Sequence, residues 1–278
     1  MSRSLDEETK FLATRWGIHP NYVQVIQRRL EHYLATAEGR PLDNKDILVV
    51  ADIHGNAPAL EKVLSYSEDH GFRHLLSLGD LLDYNSENDR VLELVMGYPR
   101  LVANIRGNHD HFIWEEGQVR TAKEGYAICE HHWAKALEKS PTQLIVKGSD
   151  LDILLCHANP WLVDTLYLHP MTTELHHYFL THNPVNGFMY GHTHIGGLYQ
   201  HEKKFSLNPG SIGKSRGKKD HITFVWWEGR SNMVTFVEWE HHPENIGNLL
   251  GREPKTLGTY KLGSSKDVLF ITDVGQLL

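Results

Sequence analysis

An α/β fold with a helical hairpin ahead of it is what this sequence predicts, on three observations. Short apolar runs alternate with amphipathic helical stripes from Ile47 to Ile105. Those runs end in Asp, His and Asn, the residue types that ligate metals, and beyond Lys204 the chain turns β-rich and meander-like. Alternating elements followed by a succession of strands describe helices layered on sheets around a core.

Residues 1–46 read as an extension and linker, and 47–278 as the main domain. Phe11, Leu12 and Trp16 mark a first short helix, Gly17-Ile18-His19-Pro20 breaks it, and Val23, Ile26, Leu30, Tyr33 and Leu34 form a second stripe at helical spacing. Acidic and basic residues nearly balance across this hairpin, which favours packing on the main domain, or on a second subunit of a homo-oligomer, over a DNA-reading role. Ala37 to Asp43 reads as a linker.

The main domain then repeats strand, turn and helix. Ile47-Leu48-Val49-Val50 has the continuous apolar character of a strand covered on both faces, and it delivers Asp52 and His54 at its end. Residues two apart on extended backbone point to the same side, so this pair can bind one ion together. Pro58 suits a first helical turn, and Ala59, Leu60, Val63 and Leu64 supply the buried stripe of a helix running toward Gly71. Leu75 to Leu78 leads to Gly79-Asp80-Leu81-Leu82-Asp83, a helix is expected around Leu92 to Met96, and Leu101 to Ile105 leads to Gly107-Asn108-His109-Asp110. Residues 112–148 read as helical, with His131-His132-Trp133 as surface or packing residues. Strands resume with Ile153 to Cys156 before His157, with Phe188 to Tyr190 before Gly191-His192-Thr193-His194, and with Lys204 to Leu207, Ile222 to Trp227 and Met233 to Trp239.

Composition sets the outer limits. With 278 residues, 40% apolar and 23% charged, the chain can bury the core of one large domain with a modest extension. The start turns acidic at Asp6, unlike a secretory signal, and apolar stretches such as Ile47 to Ala51 are far too short to span a bilayer. No membrane role and a cytoplasmic location are therefore expected. Two cysteines, Cys129 and Cys156, read as free buried thiols rather than a disulfide framework. A formal charge of −7 gives no strong nucleic-acid signal.

Five ligand-bearing strand ends in one order carry weight that an isolated His pair in a chain with twenty histidines does not. Together they point to a two-metal phosphoester hydrolase. Imidazole with carboxylate suits divalent transition metals, with manganese foremost and iron, zinc or nickel as alternatives. Asp80 is the natural bridge between two ions, Asn108 offers a neutral carbonyl oxygen, and two divalent ions would keep the pocket positive toward a phosphate.

These segments resemble those of the calcineurin-like metallophosphoesterase superfamily, over roughly Ile47 to Gly213. Its pattern D-x-H, G-D-x-x-D, G-N-H-D/E, H and G-H-x-H is matched without substitution. The resemblance implies a four-layer αββα sandwich of the metallophosphoesterase type for residues 47–278, with the hairpin outside the common core. It implies one metal on Asp52, His54, Asp80 and His194 and a second on Asp80, Asn108, His157 and His192, with in-line attack on phosphorus by a metal-bridging hydroxide. His109 would contact a phosphate oxygen or protonate the leaving alkoxide, so Asn108 and His109 count among the substrate-binding residues as well. Asp83 would orient His109.

Asn208-Pro209-Gly210-Ser211-Ile212-Gly213 is similar to a turn near the metal site of small prokaryotic phosphodiesterases of the superfamily, against the plain alternative of a Pro-Gly turn. Lys214 and Arg216 follow it and are candidates to meet substrate phosphate. The acidic, polar segment Asp83 to Asp89 departs from the glycine-containing segment of many such relatives. The expectation is a phosphodiesterase or nucleotide phosphatase acting on a phosphoester or nucleotide, with a noncatalytic metal-binding scaffold of the same fold, or a nuclease, as alternatives.

Overall fold

The computed structural model describes residues 14–111, 133–148, 150–218, 220–240 and 253–272. Five helices recur in the text: α1 (Pro20–Thr36), α2 (Ala57–Asp69), α3 (Asn88–Met96), α4 (Ala134–Glu138) and α5 (Thr173–Thr181). The strands are β1 (Arg40–Pro41), β2 (Asp46–Val50), β3 (His74–Ser77), β4 (Leu101–Asn104), β5 (Gln143–Lys147), β6 (Asp152–Cys156), β7 (Gly187–Met189), β8 (Gly197–His201), β9 (Lys204–Asn208), β10 (His221–Glu228), β11 (Met233–Glu240), β12 (Lys255–Lys261) and β13 (Val268–Ile271).

Two sheets divide these strands. One runs β1-β5-β6-β7-β9-β8-β13 and the other β12-β11-β10-β2-β3-β4. Strands β2, β3 and β4 are parallel neighbours, as are β6, β7 and β9, so each sheet sends three consecutive strand ends the same way.

The period-2 alternation of β2 explains the layering. Leu48 and Val50 point to one face, where they pack with Leu60 and Val63 of α2 and Leu92 and Val95 of α3. Ile47 and Val49 point to the other, where they meet Ile153, Leu155, Met189 and Phe205 of the opposing sheet. That sheet's outer face carries Leu154, Cys156 and Phe188, covered by Val23, Ile26 and Leu30 of α1 and by Leu175 and Phe179 of α5. Helices, sheet, sheet, helices is the four-layer αββα sandwich. Helix α2 begins where Asn56 accepts from the Ala59 amide with Pro58 in the first turn, as the sequence predicts.

Several elements differ from the reading of the sequence. Residues 112–148 are not uniformly helical, because Gln143–Lys147 forms β5, paired antiparallel with β6 and carrying buried Ile145 and Val146. Within the presumed linker, Arg40–Pro41 pairs with β5 as a two-residue edge strand. Strands β8 and β12 carry mixed polar sequences without a clean apolar run and lie toward sheet edges, where one-sided burial demands less apolar character, whereas the edge strand β13 is a short apolar run, Val268–Ile271, that the sequence reading passes over. Phe11, Leu12, Cys129, His131 and His132 lie outside the described residues. Cys156 is a buried free thiol, and among the described residues no helix is long and apolar enough to cross a membrane.

Helix α1 is fixed to the sandwich by a polar contact inside an apolar seam: buried Trp161 donates its Nε1–H to Gln27 Oε1 at 2.9 Å. Replacing Gln27 by Leu strands that indole N–H in the interior, and denaturant unfolding is expected to show a loss of about 1–3 kcal/mol. Unchanged stability in Gln27→Leu would contradict this seam.

Candidate metal centre

All five ligand-type segments, and the Asn208 to Gly213 turn, follow carboxyl ends of the parallel strands. Asp52 and His54 follow β2, Asp80 and Asp83 follow β3, Asn108 and His109 follow β4, His157 follows β6, and His192 and His194 follow β7. The two sheets therefore contribute opposite walls of a single cleft, at the edge where open parallel sheets place chemistry.

Donor atoms of Asp52, His54, Asp80 and His194 lie within 4.8 Å of one another, and so do those of Asp80, His157 and His192. Asp80 belongs to both groups. Asn108 joins the second through Oδ1, 3.1 Å from His157 Nε2 and 2.9 Å from His192 Nδ1. Every one of the seven residues predicted as ligands is thus in one place.

Each imidazole is held through its other nitrogen. Nδ1 of His54 faces the Leu82 carbonyl at 2.9 Å, Nδ1 of His157 the Leu78 carbonyl at 2.7 Å, Nδ1 of His194 the Lys214 carbonyl at 2.5 Å, and Nε2 of His192 the Asp164 carbonyl at 2.8 Å. A carbonyl only accepts, so each of these nitrogens carries the proton and the opposite one presents a lone pair. His54 and His194 then oppose two lone pairs at 3.1 Å, and His157 Nε2 faces Asp80 Oδ2 at 3.1 Å. Asp52 Oδ2 is buried without a hydrogen-bond partner, and Asp80 Oδ2 has only His157 Nε2 facing it. Acceptors facing acceptors, in a site where Asp52 and Asp80 are 0% and 1% exposed, fit divalent cations.

The acid–base balance leads to the same place. Burial lowers His54 and His192 to about 4 and His194 to about 2, leaving neutral ligand-ready rings. Burial would lower His157 as well, but the charge and hydrogen bond of Asp80 raise it to about 10, while burial foremost raises Asp52 to about 8. Both shifts favour added positive charge at the centre, as a proton or as a cation.

Backbone conformation and close approaches shape the turns. Asp52, His54, Asp80, His192 and His194 all adopt positive φ, between 49° and 66°. This left-handed conformation costs on the order of 1 kcal/mol or more per residue, and it curls both sheets' loops toward one point. Gly107 has no room for a side chain, since a Cβ there would lie 2.1 Å from Asp80 Oδ1.

Two sets of supporting residues were less visible in the sequence. Asp110, fully buried, accepts from the amides of Asp80 and Gly107 through Oδ2, both at 3.0 Å, and from Leu81 and Leu82 through Oδ1 at 2.8 and 3.3 Å. It locks the second and third loops together, and its place directly after His109 was the available signal. The Asn208 turn is more than a Pro-Gly reversal: Asn208 Nδ2 donates to the Gly191 carbonyl at 2.7 Å, Ser211 Oγ donates to the Asp52 carbonyl at 2.8 Å, and the Gly213 amide donates to that same carbonyl at 2.9 Å. It ties the first loop to the last.

Beside this cluster His109 Nδ1 lies 2.7 Å from Asp83 Oδ2. Burial works against the imidazolium, but the Asp83 hydrogen bond and the Asp80 charge outweigh it and raise His109 above its usual range, while Asp83 is held below its own. Lys214 and Arg216 stand at the rim, with Lys214 Nζ 3.5 Å from the ring centroid of Tyr84 and Arg216 Cζ 5.5 Å from that of Tyr167.

Residues 46–231 match the family model of the calcineurin-like phosphoesterase superfamily domain. The chain belongs to this superfamily. An uncharacterised protein of Methanocaldococcus jannaschii is 26% identical over 200 residues, covering 61% of this chain and 77% of that protein. Phosphodiesterase YfcE of Escherichia coli K12 is 26% identical over 190 residues, covering 62% of this chain and 81% of YfcE. Among solved structures, a metallophosphoesterase of Sphaerobacter thermophilus superposes with a TM-score of 0.55 at 21% identity, over 73% of this chain and 91% of that one. A hypothetical protein of Pyrococcus horikoshii gives 0.57 at 18% identity, over 72% and 90%. The superfamily's mixed α/β fold of two sheets and flanking helices is the fold of this chain.

Two outcomes follow. Divalent ions compete with the protons that the upward shifts of His157 and Asp52 favour, so calorimetric titration with Mn²⁺ near pH 7 is expected to give heats that depend on the buffer's ionisation enthalpy, with net proton release. Buffer-independent heats would contradict that. Asp110→Ala leaves four buried amides without their acceptor and is expected to lower stability by roughly 3 kcal/mol or more in denaturant unfolding, with weakened Mn²⁺ binding.

Proposed function

We propose that this chain is a metal-dependent phosphoester hydrolase, a phosphodiesterase or nucleotide phosphatase, with residues 47–278 as its catalytic domain. The observation that carries the reading is the pair of acceptor groups sharing Asp80, set beside a His109–Asp83 dyad at 2.7 Å. Asp52, His54, Asp80 and His194 would hold one divalent ion and Asp80, Asn108, His157 and His192 the other, with manganese as the leading candidate. When bound, such ions polarise the phosphoryl group and make water nucleophilic at neutral pH.

The protein's own groups account for the rest. Asp83, kept ionised, holds the Nδ1–H of His109 and so directs Nε2 and its proton to the opposite edge of the ring. The upward shift of His109 favours its imidazolium, the form suited to donate that proton to the departing alkoxide oxygen. Lys214 and Arg216 add positive charge at the rim, where an anionic phosphoester enters. The turn from Asn208 to Gly213 and the carboxylate of Asp110 position the loops and need not touch the substrate.

Support for the phosphodiester rather than phosphoprotein class comes from the YfcE likeness. With Mn²⁺ added, hydrolysis of bis(p-nitrophenyl) phosphate is expected, and His109→Ala should lower kcat by about 10²–10⁴-fold without loss of bound metal. Absence of hydrolysis across a broad panel of mono- and diesters by the metal-loaded chain would end the proposal. The sign of the pH dependence is also set: the acid form of His109 is present below its raised pKa and lost as pH climbs through it. The alkaline limb of kcat should therefore move to lower pH in Asp83→Asn, and an unmoved limb would remove Asp83 from its role.

A further inference from the structure

Two tyrosines flank the metal centre, one on each side. The Tyr84 ring lies 4.6 Å from that of His54 and 4.9 Å from that of His109, on the side of the first ligand group and the dyad. The Tyr167 ring lies 4.6 Å from that of His192, tilted by 30°, on the side of the second group. They are 43% and 44% exposed, unusual for large side chains this close to a buried polar cluster. Each carries a cation from one short segment, Lys214 over Tyr84 and Arg216 over Tyr167. That segment is anchored to the centre, since the Lys214 carbonyl accepts from His194 Nδ1 and the Arg216 amide donates to the His194 carbonyl at 3.4 Å.

We propose that Tyr84 and Tyr167 are specificity-determining residues that each receive one substituent of a phosphodiester bearing flat aromatic groups, of which a nucleobase is the biological example. The assignment rests on the hydrolase reading above. A monoester has one carbon substituent and would use one arm; a diester has two and uses both. Cation–π attraction at exposed rings is weak, and a phosphate oxyanion offers Lys214 and Arg216 a charge-assisted hydrogen bond instead. As the diester enters, the two cations turn to its nonbridging oxygens and the vacated ring faces take up its flat substituents.

The dyad fixes which arm does what. His109 delivers its proton to the leaving oxygen, and Tyr84 is the tyrosine beside His109. The leaving alcohol therefore lies along Tyr84, and the retained substituent lies across the centre along Tyr167. In the hydrolysis, the P–O bond to the Tyr84-side alcohol breaks, the oxygen of water bonds to phosphorus, and the proton from His109 leaves with the alcohol. The water's own protons pass to solvent or return to the dyad.

The test compares bis(p-nitrophenyl) phosphate with methyl p-nitrophenyl phosphate, which share a leaving group and differ only in the retained substituent. With Mn²⁺ present, the wild-type chain is expected to favour the bis ester in kcat/KM by about tenfold or more beyond the ratio of the two esters' hydroxide hydrolysis in solution, which already contains the second equivalent leaving group and the electron withdrawal of the retained nitrophenoxy group. Tyr167→Leu should collapse that ratio toward the solution value and Tyr167→Phe should restore it, because the ring and not the hydroxyl makes the contact. Being a ratio within one variant, the readout is insensitive to partial loss of active protein. Turnover of both esters with a ratio that Tyr167→Leu leaves intact overturns this assignment alone. Turnover of neither ester by the metal-loaded wild type overturns the hydrolase reading and the assignment with it.

Discussion

Around Asp80 the chain assembles lone pairs on side chains that are for the most part buried, with few donors to satisfy them. The arrangement exists because each of four imidazoles has given its N–H to a backbone carbonyl, at Leu78, Leu82, Asp164 or Lys214, and turned its basic nitrogen inward. Positive charge can then reach the cleft as protons at His157 and Asp52 or as cations on the two ligand groups that share Asp80. The sandwich serves that constraint. Its two sheets are packed so that parallel strand ends from each arrive at one edge, and neither sheet alone supplies both groups of ligands.

The cost of this convergence is local. Five ligand-type residues sit at positive φ, and side chains other than glycine rarely remain there unless their surroundings hold them. Asp110 and the Asn208 to Gly213 turn provide the holding, the first by accepting four amides and the second by bracing the Asp52 and His192 loops. Strain at the centre is balanced by hydrogen bonds one layer out. Such an outer layer sets ligand geometry as firmly as the ligands themselves.

What the sequence disclosed, and what it withheld, follows from the same physics. Ligand identities were legible because metal chemistry admits few residue types, and because apolar runs such as Ile47 to Val50 announce the strands that deliver them. The αββα layering was legible through the resemblance more than through periodicity, since β2 is apolar on both faces and only its partners tell the faces apart. Strands β8 and β12 were missed where positions toward the sheet edge relax the apolar pattern, β13 was missed although Val268 to Ile271 is wholly apolar, because the run is only four residues long, and β5 was absorbed into a helical reading of residues 112–148. The carbonyls that orient the histidines were invisible, as any residue can supply one. Tyr84 and Tyr167 gave no motif to find; only their placement beside His109 and His192 distinguishes them.

The claim on which the account turns is that one carboxylate, Asp80, is shared between two ions. Metal content per chain, measured after Mn²⁺ loading and removal of excess, tests it most directly when the wild type is compared with Asp80→Asn. The account predicts two equivalents in the wild type and loss from both sites together in the variant. Two full equivalents retained by Asp80→Asn would contradict it.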